Sequence, residues 1–196
     1  MRVSSVVFQP IINEIQRRCL PVNNERKTSG RGRSIAFGVV KKRTKENDYS
    51  RHCRDRPFLY SLILQFAKAH VPSSLVWNSI QCNQNYECKP HKDSGNKNDS
   101  LVIAFGNYTG GELVIEGLEC DIRHTPIIDD FTTKTHYVLP FQGDRYSLVF
   151  YYTPVETLLP QPSVRLIDQS WVFHRGEEAI YPYEKKRKNK MLLVTN

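Results

Sequence analysis

No stretch of the 196-residue chain approaches the ~20 consecutive apolar residues that a membrane-spanning helix needs. The opening Met1-Arg2-Val3-Ser4-Ser5-Val6-Val7-Phe8-Gln9-Pro10 has only a short apolar run and no small-residue cleavage pattern, so it does not read as a signal peptide. An intracellular location and no membrane partner are the expectations. Cysteine is sparse: Cys19, Cys53, Cys82, Cys88 and Cys120 are odd in number and contain no CxxC pair. That argues against a disulfide framework and for reduced thiols. A zinc site built from Cys82, Cys88 and His91 lacks the usual spacing of two to four residues between ligands, which leaves these thiols as small buried hydrophobes. No internal repeat is evident. Acidic residues are the minority, 20 against 28 basic ones, for a net charge of +8.

What is present suffices for one core. The chain is 39% hydrophobic and 11% aromatic, and its length suits a single domain of three parts. Residues 1–34 read as a helix carrying Ile11, Ile12, Ile15 and Cys19 on one face, stopped by Pro21 and followed by a flexible, basic linker over 23–33. Residues 35–153 form the main body, beginning with a strand over 34–40. Pro57, Leu59, Leu62, Ile63, Phe66, Ala67 and Pro72 mark a helix that packs on the outside of a sheet. Residues 154–196 form an extension with a Trp171-Val172-Phe173 patch and a basic end.

The most informative residues are the run His91-Lys92-Asp93, then His136, then Arg145-Tyr146-Ser147. Two imidazoles and one carboxylate on one face of an iron(II) ion leave three positions open for substrate and oxygen. At i and i+2 on an extended segment, His91 and Asp93 leave the same face. Short β-forming runs before and after them place the pair at a strand end. In the strand opened by Arg145, alternation puts Arg145, Ser147, Val149 and Tyr151 together, a guanidinium fork and a hydroxyl suited to one distal carboxylate. His124 is the rival third ligand, but it lies 21 positions before Arg145. His136 needs only the short Pro140 to Gly143 turn to reach a neighbouring position. His52, His70 and His174 read as structural or solvent-facing.

The ordered set His91-x-Asp93, Gly110-Gly111-Glu112-Leu113, His136 and Gly143-Asp144-Arg145-Tyr146-Ser147-Leu148-Val149-Phe150-Tyr151 resembles the iron(II)/2-oxoglutarate dioxygenases. Within them it is most similar to the TET/JBP-type oxygenases and their viral, algal and protist relatives, over residues 35–153. The resemblance implies a mainly β fold with flanking helices, a double-stranded β-helix of jelly-roll type. It implies Fe(II) held by His91, Asp93 and His136, with 2-oxoglutarate and O2 as co-substrates, ascorbate in support, and C–H hydroxylation coupled to succinate formation. Arg145 and Ser147 would bind 2-oxoglutarate. Asn83, Asn85 and Tyr86 would assist as they do in related dioxygenases, or else cap a turn. Gly110-Gly111 reads as a tight turn or a close backbone approach.

The resemblance also implies a substrate: the 5-methyl group of 5-methylcytosine or thymine in DNA or RNA. Basic segments at 26–33, 41–56 and Lys185, Lys186, Arg187, Lys188 and Lys190 agree with a nucleic-acid partner held through its phosphates. The last cluster also reads as a nuclear-import signal. Tyr86, Tyr108 and Phe131 are candidates for stacking on an extruded base. The cysteine-rich zinc-binding region beside the animal TET core has no counterpart. Two alternatives stay open: a peptidyl (prolyl or lysyl) hydroxylase, although collagen-type enzymes usually anchor 2-oxoglutarate with Lys, and a non-catalytic jelly-roll binding module.

Overall fold

The computed structural model describes residues 2–22, 30–41 and 47–181, and its architecture follows from period-two burial along the strands. Residues 42–46 and the basic positions 26–29 and 185–190 lie outside the described residues. The chain runs through α1 (Gln9–Arg17), β1 (Gly30–Lys41), β2 (Asn47–Tyr49), α2 (Arg51–Asp55) and α3 (Pro57–His70). There follow β3 (Ser79–Cys88), β4 (Lys97–Gly110), β5 (Leu113–Ile115), β6 (Leu118–Cys120), β7 (Ile127–Asp129), β8 (His136–Val138) and β9 (Phe141–Tyr152). A last group comprises β10 (Pro162–Ile167), β11 (Ser170–Arg175) and β12 (Glu178–Ile180).

Six strands form an antiparallel sheet in the order β2-β1-β3-β9-β4-β7. A smaller sheet, β6-β5-β8, is extended beyond β8 by a single bridge between His91 and His136. The two sheets close on each other through Val102 and Ala104 of β4, Leu113 and Ile115 of β5, and Ile122 and Phe131 from the connections. This is the double-stranded β-helix, in mainly β form with flanking helices.

The opposite face of the large sheet is equally apolar. Ile80, Cys82, Ile103, Phe105, Leu148 and Phe150 meet Ile11 and Ile15 of α1 and Leu59, Ile63 and Phe66 of α3. Phe8 stacks on Phe105 at 4.5 Å, and Phe37 on Tyr60 at 5.0 Å. Each such buried side chain contributes ~1.5–3 kcal/mol. Pro57 opens α3 where its missing N–H is harmless, and the extended Val71 before Pro72 closes it. Helix α1 stops at Arg17, one turn earlier than its apolar spacing suggests, which leaves Cys19 exposed.

The expected linker is shorter than the sequence indicates. Residues 30–33 pair with β3, and the Arg33 guanidinium donates to the Leu20 carbonyl at 2.7 Å, so four residues read as flexible are strand. The extension is not peripheral either: strands β10-β11-β12 form a third sheet, and buried Phe173 meets Tyr49 and Tyr60 of the main body. Among the described residues, no helix is long and apolar enough to cross a membrane.

Candidate metal centre and co-substrate cavity

His91 lies three residues past β3, and the pair His91–Asp93 is held by backbone bonds to the segment entering β8. His91 and His136 exchange N–H···O bonds of 3.1 and 3.0 Å, and the Asp93 N–H donates to the Phe131 carbonyl at 2.8 Å. These bonds bring one donor atom each from His91, Asp93 and His136 within 4.8 Å of one another. His91 Nε2 stands 3.4 Å from Asp93 Oδ1, and the two imidazole centroids are 4.3 Å apart. Donors ~2 Å from a shared ion at right angles lie ~3 Å apart, so the separation fits one metal.

The histidine tautomers fit as well. Nδ1–H of His91 donates to the Lys89 carbonyl at 2.7 Å, and Nδ1–H of His136 to the Lys134 carbonyl at 3.1 Å. With Nδ1 committed to a carbonyl in each ring, Nε2 is the atom left to serve a metal. Burial lowers the His136 pKa, which keeps that imidazole neutral. Hydrogen bonding to Asp93, then to Cys88, pushes His91 up to about 10, so an entering cation displaces a proton there. Phe131 packs edge-on against His136 at 4.7 Å and fixes its ring.

The three side chains open into a cavity of about 120 Å³ between the sheets. Arg145, Ser147, Val149 and Tyr151 all line it, while Tyr146, Leu148 and Phe150 point into the helix-packed core, as alternation requires. Arg145 is 3% exposed, and its Nη2 has no hydrogen-bond partner, while its Nε donates to the Gly111 carbonyl at 3.2 Å. A buried guanidinium with an unpaired N–H is costly unless an anion completes it. The Tyr86 hydroxyl, in the same cavity, is also buried without a partner. Ser147 Oγ accepts from Asn83 Nδ2 at 3.0 Å, which leaves the Ser147 proton free to donate into the cavity. These groups fit a small carboxylate next to the metal position.

Asn85 does not belong with them. Residues Asn85 and Tyr86 together face Gly32 of β1, a bulge in the β1–β3 register, and Asn85 takes φ +49°. The bulge reverses the alternation, so Tyr86 and Cys88 turn inward and Asn85 turns out. Its Oδ1 instead accepts from the Arg145 backbone N–H at 2.8 Å, and its Nδ2 donates to Asp144 Oδ1 at 3.3 Å, bonds that reach across to β9 and cap no turn. Cys88 departs from the buried-hydrophobe reading: its Sγ lies 3.3 Å from His91 Nδ1 and lines the cavity. Cys53 and Cys82 do fit that reading, with burial pushing both thiols up to about 12. His124 is placed elsewhere, stacked on Phe8 at 5.3 Å. Of the stacking candidates, Tyr108 is covered by Arg123, whose guanidinium carbon lies 4.2 Å from its ring centroid.

Gly111 supports the anion site directly. Its φ is +75°, and a Cβ there would meet Arg145 Nε at 2.9 Å and Cδ at 3.0 Å. The close approach read from the Gly-Gly pair is therefore an approach to the arginine. Gly111→Ala is expected to displace Arg145 and raise the KM for 2-oxoglutarate about tenfold, with metal affinity unchanged. Steady-state kinetics beside a metal titration checks this; an unchanged KM would remove Gly111 from the site.

No protein-family model and no curated protein sequence matches this chain. Solved structures do. NgTET1 in complex with 5mC DNA matches with TM-score 0.52 and 14% identity over 77% of this chain and 69% of that one. A Burkholderia pseudomallei oxidoreductase of the 2OG-Fe(II) oxygenase family matches with TM-score 0.48 and 19% identity over 72% of this chain and 76% of its own. A Pseudomonas putida prolyl-4-hydroxylase matches with TM-score 0.48 and 14% identity over 78% and 89%. This chain shares its fold with NgTET1.

Proposed function

We propose that this chain is an iron(II)- and 2-oxoglutarate-dependent dioxygenase that hydroxylates the 5-methyl group of 5-methylcytosine or thymine in a nucleic acid. The observation that carries the chemistry is the pairing of two features in one cavity. His91, Asp93 and His136 converge on one point, and buried Arg145, whose Nη2 has no hydrogen-bond partner, lines the same cavity. A binding module that had lost its chemistry has no use for both.

When bound, iron(II) with 2-oxoglutarate and O2 supplies the oxidation, in which decarboxylation to succinate is coupled to C–H hydroxylation. The protein's part is positioning. His91, Asp93 and His136 offer three donors from one side and leave the other side open. Arg145 pairs with the distal carboxylate of 2-oxoglutarate through charge-assisted hydrogen bonds, with Ser147 and Tyr86 as further donors. Leu113, Ile122 and Val138 give the cavity apolar walls that keep bulk water from the reacting groups.

Two observations support the substrate: the net charge of +8 and the fold similarity to a protein bound to 5mC DNA. A methyl group inside a duplex is out of reach until its base is extruded, so single strands or flipped bases are the expected targets. The test is mass spectrometry of methylated DNA, RNA and peptide pools incubated with protein, iron(II), 2-oxoglutarate and ascorbate. The expected result is oxidised 5-methylcytosine or thymine, with affinity falling by orders of magnitude between roughly 50 and 200 mM salt. Hydroxylated peptides with untouched nucleic acid would replace this substrate with the peptidyl one and leave the metal chemistry standing.

A further inference from the structure

The Asp93-Ser94-Gly95-Asn96 turn brings a second side chain onto the acidic member of the triad. The Asn96 backbone N–H donates to the Asp93 carbonyl at 2.9 Å, closing the turn. Its side-chain Nδ2 then donates to Asp93 Oδ2 at 3.3 Å, inside the cavity wall. The other carboxylate oxygen, Oδ1, is the one that faces His91 Nε2 at 3.4 Å. The main chain of Asp93 is pinned as well, by its N–H to the Phe131 carbonyl at 2.8 Å.

From this geometry, which rests on reading His91, Asp93 and His136 as a metal centre, we propose that Asn96 is a positioning residue that restricts Asp93 to one coordinating oxygen. A carboxylate free to rotate can take a metal through both oxygens. On a six-coordinate ion, three single-atom protein donors leave three open positions, and a two-oxygen carboxylate leaves two. A co-substrate that chelates through two atoms and an oxygen molecule together need three. The Asn96 amide holds Oδ2 by hydrogen bonding and turns Oδ1 toward the histidines, so the third position is kept. A carboxamide suits the task because its N–H donates without competing as a strong ligand.

The experiment is a titration of the full chain, purified free of metal, with Co(II) and then with 2-oxoglutarate, followed by visible absorption. Asn96→Ala and the isosteric Asn96→Leu are each expected to take up Co(II) as wild type does but to bind 2-oxoglutarate added to the Co(II) protein 10- to 100-fold more weakly, because the freed carboxylate takes a position that the chelating co-substrate needs. The thermal midpoint of the metal-free protein stays at the wild-type value in both, which separates positioning from folding. Asn96→Gln, which keeps an amide donor, recovers most of the affinity for 2-oxoglutarate. Wild-type affinity for 2-oxoglutarate in Asn96→Ala and Asn96→Leu overturns the inference and leaves the metal centre intact. A wild-type chain that takes up no Co(II) overturns the metal centre and this inference with it.

Discussion

Alanine at His91, Asp93 or His136, one substitution at a time, is expected to abolish both stoichiometric metal binding and the conversion of 2-oxoglutarate to succinate. Each side chain supplies one of three donors held within 4.8 Å of one another, and a facial site has no fourth protein donor to fall back on. The fold survives these changes because the backbone does the assembling. The His91–His136 bridge and the Asp93–Phe131 bond are main-chain contacts that alanine keeps. His91 and Asp93 are only partly buried, so their loss costs little stability. His136 is buried against Phe131, and its truncation costs about 1 kcal/mol, near the centre of the range for point mutants. Circular dichroism beside a metal titration checks both halves; full turnover by any of the three variants would falsify the ligand assignment.

Arg145→Ala is expected to raise the KM for 2-oxoglutarate by roughly 30- to 1000-fold and to leave metal affinity within about twofold of wild type. The range corresponds to about 2–4 kcal/mol, typical of removing one partner from a buried, charge-assisted pair. Burial lowers the Arg145 pKa, but from so high a value that the guanidinium stays charged at neutral pH. Its unpaired N–H is thus a standing demand for an anion. Arg145→Lys should recover only part of the loss, because an ammonium cannot reproduce the fork. Ser147→Ala should cost less, ~3- to 10-fold, as one neutral hydroxyl. An unchanged KM in Arg145→Ala places the co-substrate elsewhere.

The parts of this site that a sequence can express are those set by short-range geometry. His91 and Asp93 at i and i+2, and Arg145, Ser147, Val149 and Tyr151 at alternate positions, share a face in the structure because extended backbone has a period of two. The α3 helix was equally legible from its apolar spacing and its flanking prolines. Asn85 falls outside the cavity because the alternation that groups it with Asn83 is interrupted by a bulge that no local pattern announces. That bulge exists because β1 lays Gly32 against Asn85 and Tyr86, a contact more than fifty residues apart in the chain. Strand pairing by residues 30–33 was hidden by their polar, glycine-bearing composition, since pairing partners, not propensity, make them a strand. The place of Asn96 has a local signal in the sequence: in an Asp-Ser-Gly-Asn turn the last amide can reach back to the first carboxylate. The role of Gly111 beside Arg145 depended on tertiary packing and lay beyond any reading of the Gly-Gly pair alone.

The most direct test of the account is isotopic. The wild-type chain is incubated with iron(II), 2-oxoglutarate and heavy-oxygen-labelled O2, and the succinate formed is weighed by mass spectrometry. The account predicts iron-dependent succinate carrying one labelled oxygen in its new carboxylate, with none formed when iron is withheld or when His136 is alanine. Absence of iron-dependent succinate, or succinate without label, would contradict it.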